Sequence, residues 1–100
     1  MEIKKDQNGT TLTLHLSGRL DAVTAVDLDK VLAASLADVK ELVFDLADLE
    51  YIASAGLRSL LAAQKRMAKQ GTMVLRNVTE EVNDVLEMTG FSDFLTIETK

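Results

Sequence analysis

The chain has 100 residues, contains neither Pro nor Cys, and is 47% hydrophobic and 27% charged. This length and composition predict one globular domain over residues 1–100 and exclude a disulfide framework, a thiolate metal site and a cysteine nucleophile. The formal net charge of −5 opposes nucleic-acid binding, and the lack of a signal-like or membrane-spanning apolar segment predicts a cytoplasmic protein without membrane contact.

The N-terminal part of the chain predicts a β-hairpin. Leu12, Leu14 and Leu16 alternate with polar residues, which is typical of a half-buried strand. The pair 8–9 (Asn-Gly) suits a type I′ turn, and residues 3–6 can supply the partner strand.

Two strand–helix units are expected next. Asp21 is expected to open a helix within residues 22–37. The apolar run 42–46 predicts a central parallel strand that is covered on both faces. A loop from this strand then leads to a helix over residues 54–70, which Gly71 ends.

The C-terminal part predicts a strand over residues 73–75, a helix capped by Thr79 and ended by Gly90, and a last short strand over residues 94–97. Strands that alternate with helices favour right-handed crossovers and parallel pairing. The sequence therefore predicts an α/β fold: a mixed, mostly parallel sheet with an N-terminal hairpin and helices packed on it.

Few residues suit catalysis or metal binding. His15 is the single histidine, so we interpret it as an exposed strand residue and not as a metal ligand. Asp45, Asp48 and Glu50 crowd the end of the central strand, and we interpret them as an acidic rim and not as a cation site. Neither a G-x-S-x-G nor a G-x-x-x-x-G-K motif is present, and we expect no enzyme.

Ser54 lies among small residues at the start of the second long helix, between Ala53 and Ala55. Two interpretations are open. The Ser54 oxygen can accept a backbone N–H bond and cap the helix. Alternatively, the hydroxyl is open to the active site of another protein, and the helix start would accept a phosphate.

The motifs along the chain resemble the STAS domain of bacterial anti-sigma factor antagonists. Residues 16–21 (LSGRLD) are similar to the family's G-x-L-D segment, residues 42–49 to its central strand, and residues 88–91 (MTGF) to its late helix end. The most specific family motif is D-S-[ST]-G-[LIV] or S-S-A-G-[LI]-R, and residues 53–58 here read ASAGLR. Ser54 falls on the family's phosphorylated serine.

The resemblance implies a regulatory switch without catalytic activity or a cofactor. The unmodified protein would bind an anti-sigma factor that is also a GHKL-type serine kinase, and so free a sigma factor. Phosphorylation of Ser54 would end this binding, and a PP2C-type phosphatase would restore it. By their match to the motif segments or nearness to them, the expected partner-binding residues are Asp21, Asp45, Asp48, Ser54, Gly56, Leu57 and Arg58.

The motif departs from the family pattern at two positions. Ala53 replaces a residue that is commonly Asp, and Ala55 replaces the Ser or Thr of many members, so Ser54 is the only acceptor in the motif. Ala53 keeps open a non-switching STAS scaffold or transporter-adaptor module in which Ser54 is only a helix cap. A small-ligand or nucleotide-binding STAS domain is a further alternative, for which the sequence offers no Gly-rich phosphate loop.

Overall fold

A computed structural model describes residues 1–99, and over this range five strands form one mixed sheet in the order β1-β2-β3-β4-β5. Strand β1 pairs antiparallel with β2, whereas β2, β3, β4 and β5 pair in parallel. The predicted α/β fold with an N-terminal hairpin is confirmed. In chain order the elements are β1 (Glu2–Asn8), β2 (Thr11–Leu20), α1 (Thr24–Ser35), β3 (Glu41–Ile52), α2 (Ser54–Met67), β4 (Thr72–Val78), α3 (Glu80–Met88), a 3-10 helix (Phe91–Asp93) and β5 (Ile97–Thr99).

The three helices cover one face of the sheet. Each helix links two neighbouring parallel strands, and right-handed crossovers that always advance in the same direction place every helix on the same side. Residues of all three helices join apolar side chains of β2, β3 and β4 in one hydrophobic core. The strand residues of this core include Leu12, Leu14, Leu16, Leu42, Phe44, Leu46, Met73 and Leu75.

The hairpin forms where predicted, but its turn differs from the expected type. Asn8 pairs with Thr11, so Gly9 and Thr10 form the turn. Gly9 has φ of 63°, whereas Asn77 is the one residue other than Gly with positive φ among the described residues. A positive φ at the first central position alone is typical of a type II′ turn, and the type I′ prediction is wrong.

The central strand β3 is parallel to both neighbours, as predicted, but it is longer than the apolar run. It continues to Ile52 because its end still pairs with β2, through Leu20 opposite Ile52. No loop therefore separates β3 from the start of α2 in the described chain, contrary to the sequence prediction. Helices cover only its core face: Val43 is buried on the other face but lies outside the hydrophobic core, and Asp45 is half-buried there.

The predicted helix ends hold in part. Asp21 caps the turn before α1, although regular helix begins only at Thr24. The Thr79 hydroxyl accepts a hydrogen bond from the N–H of Val82, and Gly90 ends the α3 segment with φ of 79°, as predicted. The last strand lies at Ile97–Thr99 and not at residues 94–97. Within residues 1–99, every helix falls short of the length and apolar character that crossing a membrane requires.

Candidate functional site

Ser54 is the first residue of α2, and it is an exposed residue. The cap position belongs to Ala53, which has extended backbone angles (φ −100°, ψ 172°). An N-cap residue has non-helical backbone angles, and its side chain accepts a hydrogen bond from an N–H group in the first turn of the helix. Ser54 already has helical backbone angles and lies one position after the N-cap. Within the described residues, no hydrogen bond of the Ser54 hydroxyl is formed and no side chain caps α2. The interpretation of Ser54 as a helix cap is therefore wrong.

The start of α2 has an uncompensated positive end. The first N–H groups of a helix lack partners within the helix and carry partial positive charge. The first turn of α2, all of it within the described chain, contains no acidic residue, and Ala53 cannot accept a hydrogen bond through its side chain. A negative group attached to Ser54 would be stabilised at this position.

Gly56 and Leu57 fix the position of this helix start. A Cβ atom on Gly56 would lie 2.6 Å from Cγ of Leu20 and 3.1 Å from Cγ1 of Ile52, so only glycine fits between these side chains. Leu57 is buried in the core, and the backbone N–H of Ala53 donates to the carbonyl of Leu20 over 2.9 Å. Gly56 and Leu57 are both buried, so they fix the position of Ser54 and expose little surface of their own.

Asp21 lies directly after Leu20 and orders the turn beside α2. Its Oδ1 atom accepts hydrogen bonds from the N–H groups of Val23 (3.1 Å) and Thr24 (3.0 Å). The backbone hydrogen bond from Thr24 is the main reason that the pKa of the Asp21 carboxyl lies below its ordinary value; desolvation opposes it, and the Thr24 hydroxyl, Val23 and Arg19 add to it. Asp21 is therefore ionised at neutral pH.

A groove of about 350 Å³ runs between α1 and α2, next to Ser54. Val26 and Arg58 line it from opposite sides, and Val26 is 51% exposed. Val23, at the start of α1, is 77% exposed. The groove is thus lined largely by small and apolar side chains, with Asp29 and Arg58 as its charged residues. The other residues that line the groove are Ala22, Ala25, Asp29, Ala55, Ser59 and Ala62.

Asp45 lies in a separate polar network on the open face of the sheet. Its Oδ2 atom is 2.9 Å from Nδ1 of His15 on β2, and its Oδ1 atom accepts hydrogen bonds from the Asn77 amide and the Ala47 N–H, each at 3.1 Å. Burial alone raises the pKa of the Asp45 carboxyl, but the hydrogen bonds from Asn77, Ala47 and His15 together hold this pKa below its ordinary value. Asp45 is therefore internally paired, away from Ser54.

Asn77 is the member of this network that the sequence analysis missed. It holds φ of 58°, a conformation that Asn tolerates better than most residues other than Gly. The sequence shows an Asn near the end of a predicted parallel strand, which is the only sign of its role. It does not show that this Asn lies beside Asp45, because the register of β3 and β4 determines that contact. Asn77 ties β4 to β3, as His15 ties β2 to β3.

The acidic rim divides between two cavities. Asp48 and Glu50 are exposed and line an open cavity of about 960 Å³ at the end of the sheet. Asp48 also borders a cavity of about 200 Å³ that His15 and Asp45 line. The part of the chain that the structure describes contains no group of three or more His, Cys, Asp or Glu side chains arranged to hold a metal ion.

Comparisons with known proteins show a common family and fold. The family model described as STAS domain matches residues 2–100. BtrV of Bordetella bronchiseptica, named as a candidate anti-sigma factor antagonist, is 34% identical over 93 residues, which are 91% of this chain and 80% of BtrV.

Two solved structures share the fold. An anti-sigma factor antagonist from Mycobacterium paratuberculosis has a TM-score of 0.89 at 23% identity, covering 99% of this chain and 86% of that one. The anti-sigma factor antagonist SpoIIAA in its unphosphorylated form has a TM-score of 0.81 at 19% identity, covering 99% and 90%. SpoIIAA is also described in a phosphorylated form.

Proposed function

Since the chain belongs to the STAS domain family, we propose that it is an anti-sigma factor antagonist whose binding to an anti-sigma factor ends when Ser54 is phosphorylated. The observation that carries this proposal is the hydroxyl of the exposed residue Ser54, which has no hydrogen-bond partner among the described residues at an α2 start without acidic side chains. The names of the relatives support the antagonist function, and the phosphorylated form described for SpoIIAA supports the modification.

The phosphoryl transfer itself needs only the hydroxyl from this chain. The Ser54 oxygen attacks the γ-phosphate of ATP in the active site of the kinase, a base of the kinase takes the hydroxyl proton, and ADP leaves. The anti-sigma factor, a GHKL-type serine kinase, supplies ATP and Mg²⁺. A PP2C-type phosphatase hydrolyses the phosphoserine and regenerates the hydroxyl.

Phosphorylation changes the surface more than the fold. The phosphate adds about −1.5 to −2 charges at neutral pH, and the free N–H groups of α2 stabilise it in place. The neighbouring groove is lined mostly by small apolar side chains such as Val26 and Ala55, and a partner buries these at little cost in polar desolvation. A dianion beside it must be desolvated or kept wet on binding, and both weaken the complex.

The other expected partner-binding residues act in different ways in this proposal. Asp21, in the turn before α1, and Arg58, on α2, would contact the partner directly through their charged groups. Gly56 and Leu57 hold Ser54 in place. Asp45 and Asp48 lie at the end of the sheet and contribute to its negative field there.

Mass-spectrometric mapping of phosphopeptides tests the acceptor. The protein is incubated with ATP, Mg²⁺ and its cognate GHKL-type kinase, and we expect one phosphate, on Ser54. Ser59→Ala is the matched control, because Ser59 is buried and donates to the Ala55 carbonyl, so this variant should be phosphorylated as the parent is.

Modification of Ser59 or Thr79 with Ser54 untouched would disprove the acceptor assignment. A chain that binds the anti-sigma factor and acquires no phosphate would instead be the non-switching module that Ala53 keeps open. The variant Ala53→Asp restores the commoner motif, and we expect it to raise the rate of Ser54 phosphorylation.

A further inference from the structure

The net negative charge of the chain is concentrated in residues 79–94. This segment comprises α3 and the 3-10 helix, and it contains five acidic residues and no Lys or Arg. The rest of the chain has eleven acidic and eleven basic residues, which balance. All five carboxylates are exposed, and none forms an ion pair with another described residue. They are Glu80, Glu81, Asp84, Glu87 and Asp93.

Two large apolar side chains are exposed in the same segment. Met88, at the end of α3, is 83% exposed, and Phe94, after the 3-10 helix, is 64% exposed. Helical spacing places Glu81, Asp84 and Met88 on one flank of α3, since residues three, four and seven positions apart share a face. We call the exposed side chains of residues 80–94 the acidic–apolar face.

We propose that the acidic–apolar face docks a basic amphipathic helix of another protein. Exposed Met and Phe side chains provide adaptable apolar contacts and an anchor, and the surrounding carboxylates favour Lys and Arg beside them. Nucleic acids and anionic membranes are repelled by the same charges. Because α3 exposes side chains and has its backbone bonded within the helix, the fitting mode is helix against helix and not strand addition.

A second copy of this chain fits the face less well. The most basic element is α2 with its C-terminal turn: residues 54–70 contain four basic residues and no acidic one. The large hydrophobic residues exposed in the described chain are Val23, Val26, Tyr51, Met88 and Phe94, and none lies on α2. Helix α2 could therefore match the charge of the face but not Met88 and Phe94. The proposal is independent of the Ser54 switch, since it uses different residues.

The test uses the full unphosphorylated chain, labelled with ¹⁵N, and a synthetic amphipathic helical peptide of Leu and Lys. We expect chemical-shift changes that are largest in residues 80–94 and an affinity that falls with added salt. Two variants should each weaken binding by about tenfold or more. One is the double variant Met88→Ser with Phe94→Ser, and the other is the triple variant Glu81→Gln with Asp84→Asn and Glu87→Gln. All five positions are exposed, and the unliganded spectra report that the variants fold.

Matched controls separate the proposal from general stickiness. Val23→Ser with Val26→Ser removes the other exposed apolar pair, and we expect binding to stay within about twofold of the parent. A Ser and Lys peptide, which lacks the apolar side chains, should bind at least about tenfold more weakly than the Leu and Lys peptide.

Three results would overturn the proposal. One is shift changes centred on Val23 and Val26. Another is that the variant without the three carboxylates binds the Leu and Lys peptide as tightly as the parent protein does, or that the parent binds the Ser and Lys peptide as tightly as the Leu and Lys peptide. The third is self-association of the protein alone, in sedimentation velocity, that disappears in Met88→Ser with Phe94→Ser, because a second copy would then be the occupant.

Discussion

Within the part of the chain that the structure describes, the Ser54 side chain forms no capping hydrogen bond at the start of α2. We therefore expect Ser54→Ala to change the free energy of unfolding by at most about 0.5 kcal/mol, since it removes no hydrogen bond. Urea denaturation of the unphosphorylated protein measures this. Thr79→Ala is the comparison, because Thr79 does cap a helix, and it should cost about 1 kcal/mol. An equal loss in both variants would mean that Ser54 supports the fold.

Ala53 occupies the N-cap position of α2 but has no side-chain atom that could accept a hydrogen bond. Its backbone already has the extended angles of an N-cap residue. We expect Ala53→Ser to stabilise the protein by about 1 kcal/mol, because the new hydroxyl can accept a bond from a first-turn N–H group. The control is Ala62→Ser, at an exposed position within α2, which should destabilise by about 0.5 kcal/mol through helix propensity. Thermal or urea unfolding distinguishes the two signs, and a destabilised Ala53→Ser would show that the helix starts elsewhere.

At the scale of elements, the Asp45 carboxylate joins three strands, and its protonation should loosen them. The lowered pKa means that its contribution to stability is present above the unfolded-state pKa of about 3.9 and is lost as pH falls through the lower folded-state value. Asn77→Gly keeps the positive φ but removes the amide donor, so it should raise the pKa of Asp45. Carboxyl-carbon NMR titration measures the shift, and an unchanged pKa would exclude Asn77 as a cause of the lowering.

The contact between β2 and α2 depends on the absence of a side chain at Gly56. We expect Gly56→Ala to destabilise the protein by about 1 to 3 kcal/mol, because the new methyl overlaps the buried Leu20 side chain. In a Leu20→Ala background the same substitution should cost much less, since the cavity accepts the methyl. A double-mutant cycle in urea measures this coupling. If Gly56→Ala instead stabilised by about 1 kcal/mol, helix propensity alone would govern the site.

At the scale of the whole molecule, local sequence patterns predicted the order of strands and helices. Long-range strand pairing determined the N-cap of α2 and the partner of Asp45, which local patterns could not predict. Thr79 caps the start of α3 and Gly90 follows its end, each through its own local chemistry, so both positions were predicted correctly. The cap of α2 was not, because Ile52 stays in β3 by pairing with Leu20, and this moves the cap from a serine to Ala53. The partner of Asp45 could not be predicted either, since the register of β3 and β4 sets it.

The fold also separates the features that phosphorylation would change from those it would leave alone. Ser54 and the groove with Val26 and Arg58 lie where α1 and α2 meet, whereas Asp45 lies on the open face of the sheet. The core joins all three helices to the sheet without Ser54. We therefore expect a charge on Ser54 to alter binding at that surface while the rest of the molecule keeps its structure.

The affinity of the anti-sigma factor for the protein with and without phosphate on Ser54 tests the central proposal most directly. Calorimetric titration with a non-hydrolysable ATP analogue present should show at least about hundredfold weaker binding of the phosphorylated form, or about 2.7 kcal/mol. Its urea midpoint should be no lower than that of the unmodified protein, because the α2 start stabilises the added negative charge, so the loss of affinity would be one of contact and not of folding. Equal affinity of the two forms, within about twofold, would contradict the switch and identify a STAS module that binds without regard to Ser54.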